Sequence, residues 1–359
     1  MQWCFNHDVG VNQCRNDETT LLLVADKKGW SEIVKILLFK GADYNKCYNN
    51  GLCRWSPLIS ACHEGHTDIV RMLLDIGANY DEYYSDGWSP VMSACRYGHT
   101  EIVRMLLDIG EEYNKCENND WSLVKIACHE GHIEIARMLL EIGAEYNKYE
   151  DDGWSFLALA CSKGYPEIVR MLLEIGAEYN KYEDDGWSLL ALACSKGYPE
   201  IVRMLLEIGA EYNKYEDDGW SLLALACSKG YPEIVRMLLE IGAEYNKYED
   251  DGWSLLALAC SKGYPEIVRM LLEIGAEYNK YEDDGWSLLA PACSKGYPEI
   301  VRMLLNIGAE YNSCSDNGWS PLLLACSELH PDIVKMVLEI GADYNKCDSD
   351  GWSPLTFCL

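Results

Sequence analysis

Two stretches reading HEGH, at His63–His66 and His129–His132, come closest to a catalytic metal site. A zinc hydrolase of that kind needs two imidazoles four residues apart on one helical face. Here they stand three apart, and Gly65 or Gly131 breaks the helix between them, so a structural role is the better reading. Cys47 and Cys53 flank one loop and could close a bridge or hold a metal, yet no second ligand pair of zinc-like spacing follows. Paired carboxylates recur at Asp151 and Asp152, Asp184 and Asp185, and Asp217 and Asp218. Carboxylates repeated on turn-rich segments form a solvated surface more often than an acid–base pair. No glycine-rich phosphate loop, serine nucleophile elbow or paired histidine and acid is present, so neither enzymatic activity nor a cofactor is expected.

Composition narrows the partners. The 359 residues are 49% hydrophobic and 25% charged, enough apolar surface for a folded protein. The balance of 58 acidic against 30 basic residues gives a formal charge of -28. Such a field repels nucleic-acid phosphates and anionic lipid headgroups and favours basic partners. No apolar run is long enough to span a bilayer, and the first twenty residues lack the pattern of a secretory signal, so an intracellular, cytoplasmic protein is expected, with the nucleus open.

A fixed period organises the chain. The segment Lys181–Asn213 returns letter for letter at Lys214–Asn246 and Lys247–Asn279, and Trp55 to Trp352 recur every 33 residues. Nine cysteines keep the same step: Cys62, Cys95, Cys128, Cys161, Cys194, Cys227, Cys260, Cys293 and Cys326. One thiol per unit in one register predicts a small buried niche rather than disulfides. Within a unit, Ser188 is placed to cap a short helix over LLALACSK, which Gly197 ends. Pro199 suits the first position of a second helix, and Glu200 complements its dipole. In EIVRMLLEI, Ile201, Val202, Leu205, Leu206 and Ile208 cover more than one face, which predicts a helix squeezed from both sides. The remaining AEYNKYEDDGW reads as a tight extended finger. Pro291, about the fourth residue of its helix, predicts a weak seam. Asp26 stands where later units carry cysteine and suggests a more polar starting cap.

These letters carry a resemblance. Gly87, Ser89, Pro90, Ala94, Cys95, Gly98, His99, Ile102, Val103, Leu106, Leu107 and Gly110 are similar to the pattern of the ankyrin repeat. The resemblance covers residues 15–359 and implies a mainly α fold, an α-solenoid of stacked helix-turn-helix units, each with a short β-hairpin finger. Residues 1–14 form a partial unit, 15–348 about ten repeats in one array, and 349–359 a truncated last repeat. The chain departs from the family where Ala158, Ala191, Ala224, Ala257 and Ala290, and earlier Ile59 and Met92, replace the histidine that usually opens the first helix. Tyr165 and its equivalents replace the histidine kept at His66, His99 and His132, and Asp120 stands where glycine usually turns the finger. The apolar end near Leu355, Phe357 and Leu359 implies either a cover, self-association included, or a longer array.

The same resemblance implies a non-catalytic scaffold that touches proteins through fingertips and the outer edge of the first helix. Carried over, that face comprises Trp88, Trp121, Trp154, Trp187, Trp220, Trp253, Trp286 and Trp319, with Tyr149, Tyr182, Tyr215 and Tyr248 and the aspartate pairs above. Ser195, Lys196, Ser228 and Lys229 line its edge. Stacking sets successive units about 8–10 Å apart. Tryptophan faces attract cations and neighbouring carboxylates reinforce them, so an extended Lys/Arg-rich protein segment fits best. Two alternatives stand beside this reading: the indoles pack as framework, or the chain is a linker or spacer joining a target to a larger assembly. Tyr179 and its equivalents read as structural, and Met171, Met204, Met237 and Met270 as a row on the opposite face.

Overall fold

The computed structural model describes residues 10–14, 19–49, 54–81, 87–110, 121–146, 154–180, 186–213, 219–245, 253–278 and 286–357. The chain divides into two compact units, Met1–Glu178 and Tyr179–Leu359. The first holds α1 (Leu21–Lys27), α2 (Ser31–Phe39), β1 (Tyr48–Asn49), β2 (Arg54–Trp55), α3 (Pro57–Glu64), α4 (Thr67–Asp75), α5 (Pro90–Arg96), α6 (Thr100–Asp108), α7 (Leu123–Glu130), α8 (Ile133–Glu141), α9 (Phe156–Lys163) and α10 (Pro166–Glu174). The second holds α11 (Leu189–Lys196), α12 (Pro199–Glu207), α13 (Leu222–Lys229), α14 (Pro232–Glu240), α15 (Leu255–Lys262), α16 (Pro265–Glu273), α17 (Leu289–Ser294), α18 (Pro298–Asn306), α19 (Pro321–Ser327), α20 (Pro331–Glu339) and α21 (Pro354–Phe357). Each unit is a mainly α repeat solenoid, in which first helices pack on first helices and second on second.

Local chemistry sets the helix ends. The Ser188 hydroxyl accepts from the Ala191 amide at 3.1 Å, satisfying a donor that the helix itself cannot. Gly197 closes α11 at φ +80, a left-handed conformation in which a side chain would be strained, and the chain turns into α12 within two residues. Ala191, Ala193 and Cys194 are wholly buried, since only small residues let first helices approach so closely. All nine cysteines of the periodic row are buried in this layer. Burial pushes the Cys128 thiol up to about 12, and raises Cys95 and Cys293 as well.

The second helices bury less than the sequence pattern suggests. Ile201, Val202 and Leu205 are sealed, but Leu206 is half-buried and Ile208 is 38% exposed. The helix stops at Glu207, which leaves Ile208 beyond the buried stripe as its cap residue. One apolar stripe therefore holds each second helix in place, each fully buried side chain contributing about 1.5–3 kcal/mol. The methionine row, Met171, Met204, Met237 and Met270, is half-buried.

Contacts between repeats use rings and hydroxyls. Tyr231 lies against Gly197, so near that a Cβ there would sit 2.5 Å from its ring, and Tyr264 and Tyr297 meet Gly230 and Gly263 in the same way. Where the ring is histidine it also bonds: His99 Nε2 donates to the His63 carbonyl at 3.1 Å, His132 Nε2 to that of Arg96 at 2.8 Å, and His330 Nε2 to that of Ser294 at 3.0 Å. Tyr146, Tyr179, Tyr212 and Tyr245 donate their hydroxyls to the carbonyls of Ile175, Ile208, Ile241 and Ile274 at 2.7–3.0 Å. Those carbonyls lie at the ends of second helices, where no amide of the helix reaches them. These tyrosines are structural, as their register suggests.

Two irregular places stand out. Asp26 is not a polar surface cap: it is fully buried, because it occupies the niche that cysteine fills in later repeats. Neither carboxylate oxygen has a hydrogen-bond partner among the described residues. Burial pushes its carboxyl up to about 8, with Glu64 adding to the rise and the Ser60 hydroxyl alongside drawing it partly back. The second place is α17, which is six residues long where the first helices before and after it have eight and seven, and which starts without a side-chain cap. The expected seam at Pro291 is thus a shortened helix.

Candidate functional site

The finger is described at only some repeats. Tyr48 pairs with Trp55 and Asn49 with Arg54 in an antiparallel hairpin. At two later tips the Ser315 amide donates to the Trp319 carbonyl at 3.1 Å, and the Asp348 amide to that of Trp352 at 3.0 Å. A tight turn closes each, through Gly318 or Gly351 at positive φ. Tyr149, Tyr182, Tyr215, Tyr248, Asp151, Asp152, Asp184, Asp185, Asp217 and Asp218 lie outside the described residues, as do Cys53 and Asp120.

The tryptophans are placed alike in both units. Each directly precedes the serine that caps or opens a first helix, so the cap fixes the ring at the root of the finger. In the first unit Trp88, Trp121 and Trp154 are half-buried; in the second, Trp187, Trp220, Trp253, Trp286 and Trp319 are half-buried as well. None is sealed and none stands wholly in water. Trp88 and Trp121 lie 6.3 Å apart at 38°, nearer than helix spacing alone gives, because the two rings tilt toward each other.

Here the chain supplies cations of its own. The Arg96 guanidinium sits 5.0 Å above the Trp88 ring and 6.0 Å from that of Tyr97, and the Lys125 ammonium lies 5.2 Å from Trp121. Arg96 also faces Glu130 at 4.0 Å. Trp55 meets the edge of His63 at 5.0 Å, His63 lies 4.3 Å from Tyr97, and Trp121 meets His129 at 5.2 Å. Burial holds the His63 imidazole below its ordinary value, against the pull of Glu64 beside it. The two rings of the first HEGH motif thus serve different neighbours: His63 faces Trp55 and Tyr97, whereas His66 lies against Gly29.

Of Arg96, His63, His129 and Lys125, the two histidines stood out in sequence only as metal candidates, and the two cations belong to no binding motif. The signal was in the register: the first three share the position of Ser195, and Lys125 that of Ala191. At the edge of the first helices, Ser162, Ser195, Ser228 and Ser261 turn their hydroxyls back to carbonyls of their own helices at 2.9–3.0 Å. The next residue is an exposed lysine in five repeats: Lys163 in the first unit, and Lys196, Lys229, Lys262 and Lys295 in the second. In the second unit, therefore, an indole row and a lysine row recur from repeat to repeat, with fingers that are acidic in sequence.

Among the described residues no helix is long and apolar enough to cross a membrane. A family model described as ankyrin repeats, in three copies, matches overlapping windows that begin with residues 1–83 and 21–117, end with 245–313 and 289–359, and together cover the chain. No curated protein matches it.

Proposed function

Because the chain belongs to the ankyrin-repeat family, whose members generally mediate protein–protein interaction and are typically non-catalytic, we propose that it is an interaction scaffold for extended, basic protein segments. The docking face is the row of half-buried indoles together with the acidic fingertips of the same repeats. One observation supports this most directly. At Trp88 and Trp121 the chain itself seats a guanidinium and an ammonium at cation–π distance, which is the kind of contact a partner's Arg or Lys would make with an indole. Each exposed contact of this kind contributes roughly 0.5–1 kcal/mol, so affinity comes from several repeats engaged together. The lysine row along the helix edge selects among basic segments, favouring those with acidic residues between the basic ones.

Binding of a Lys/Arg-rich peptide to the full chain, read by fluorescence anisotropy, tests this reading. Replacing Trp187, Trp220 and Trp253 together by alanine is expected to weaken binding while the circular dichroism of the helices stays the same. Added salt is expected to weaken it too, since the charges are exposed and screened. Unchanged affinity in the triple variant would leave the indoles as framework and sink the proposal.

A further inference from the structure

Within the second unit, interior second helices end on exposed isoleucines. Ile208, Ile241 and Ile274 are 38%, 38% and 37% exposed, each as the cap residue after the last helical glutamate. A single apolar side chain in water is ordinary, but three in one register of a stacked array form a surface feature. Tyrosine extends it. The hydroxyls of Tyr179, Tyr212 and Tyr245 donate to the carbonyls of those same isoleucines at 2.9, 2.9 and 3.0 Å, which holds each half-buried ring against the helix end that carries the isoleucine. Gly209, Gly242 and Gly275 follow the isoleucines, and nothing lies within 4 Å of where a Cβ on them would stand. The result is a band of alternating rings and isoleucines with an open notch at every step.

Negative charge edges the band. Glu207, Glu240 and Glu273 each stand directly before an isoleucine, are exposed, and form no ion pair among the described residues. Arg203, Arg236 and Arg269, one turn earlier on the same helices, are held instead by Glu233, Glu266 and Glu299 of the next repeat at 3.3, 3.2 and 3.1 Å. The chain's own arginines therefore leave those carboxylates unneutralised, and a segment that covers the band must bring positive charge to match them.

Spacing selects the backbone of that segment. Successive second helices pack on one another, which repeats the band at about 8–10 Å. A polyproline II segment climbs about 9 Å in three residues and returns every third side chain to the same face. A β-strand covers about 10 Å in three residues but turns the third side chain to the opposite face. An α-helix regains its face after seven residues, about 10.5 Å, which outruns the repeat. Only the first keeps step with the rings.

We propose that this band docks a polyproline II segment of a partner protein, with proline at every third position and Lys or Arg between. The prolines seat on the rings of Tyr179, Tyr212 and Tyr245 beside the isoleucines, and the basic side chains reach Glu207, Glu240 and Glu273. Aromatic rings with fixed spacing suit such a segment, because it is already extended before it binds. This site uses the ends of second helices, whereas the indoles stand before first helices, so the two stand or fall separately.

Fluorescence anisotropy of the full chain with two labelled peptides tests it, one of five Pro-Pro-Lys units and one of five Gly-Ser-Lys units, equal in length and charge. The proline peptide is expected to bind about ten-fold more tightly, its backbone being ordered in advance. Ile208→Gln, Ile241→Gln and Ile274→Gln together should erase that preference and leave the helical circular dichroism unchanged, since these side chains are exposed. Glu207→Gln, Glu240→Gln and Glu273→Gln together leave the apolar band intact and should weaken the proline peptide roughly five-fold. The combined Trp187→Ala, Trp220→Ala and Trp253→Ala variant should keep the preference. Equal affinity of the two peptides for the native chain would overturn the proposal, as would a preference that survives the isoleucine changes or is lost with the tryptophans. So would tighter binding of a helical peptide of equal charge with leucine at every seventh residue, for the occupant would then be a helix.

Discussion

The Ser287 carbonyl accepts from the Ala290 amide at 3.0 Å, because Pro291, the next residue, has no amide to offer it. In the identical register of α11, the Leu192 amide donates to the Ser188 carbonyl at 3.0 Å and the Ser188 hydroxyl caps the helix. At Pro291 both devices are lost, and the Ser287 hydroxyl is left buried without a hydrogen-bond partner among the described residues. Pro291→Leu restores the sequence of the other repeats. It is expected to stabilise the second unit by about 2–3 kcal/mol, combining a recovered helix bond and a recovered cap. Urea unfolding reads the gain, and amide exchange over 288–294 should slow toward that of 222–229.

Asp26 makes the first repeat sensitive to pH in a direction opposite to that of a salt-bridged carboxylate. Its folded-state value is about 8 against an ordinary 3.8, so the folded form holds a proton that the unfolded chain has released. The contribution of Asp26 to stability is therefore greatest below about pH 4, falls as pH rises toward 8, and is flat above that. The acid facing it, Glu64, adds to the loss once ionised, and Ser60 offsets it in part. Asp26→Cys, which installs the residue of the later repeats, is expected to abolish this slope. Exchange of the α1 amides at pH 5, 7 and 9 measures it; equal slopes in the two proteins would show that Asp26 is solvated.

Thiol chemistry separates the two classes of cysteine. The row from Cys62 to Cys326 is buried, and the Cys128 thiol at about 12 holds almost no thiolate at neutral pH. Cys14 and Cys347 are exposed. Iodoacetamide at pH 8 is expected to label Cys14 and Cys347 in the native chain and the row only after denaturant is added, as peptide mass spectrometry would show.

The capped, proline-started, glycine-ended helices were legible in the sequence because each device acts within four residues of its own position. The stacking of rings on Gly197 and its equivalents was not, since it joins residues of different repeats and depends on how closely the helices approach. Asp26 misleads for a related reason: aspartate alone suggests solvent, whereas its register with the cysteine row signals burial. The repeated placement of the tryptophans just ahead of the first helices was legible from their period. Arg96 and Lys125 were not, because a cation over a ring depends on side-chain direction across the surface.

Paired glycine substitutions isolate what that ring contact contributes. Gly230 and Gly242 both hold positive φ, +79 and +89, so alanine at either is strained by about 1–2 kcal/mol. At Gly242 nothing lies within 4 Å of a new Cβ, whereas at Gly230 the Tyr264 ring lies 2.5 Å away. Gly242→Ala is expected to show the backbone cost alone. Gly230→Ala adds displacement of the ring and is expected to destabilise the second unit by a further 1–3 kcal/mol, approximately the cost of overpacking a core. If the combination Gly230→Ala with Tyr264→Ala recovers most of that difference in urea unfolding, the ring is the source of the cost. Should the two single variants unfold at the same midpoint, the repeats are joined by their buried helix stripes alone.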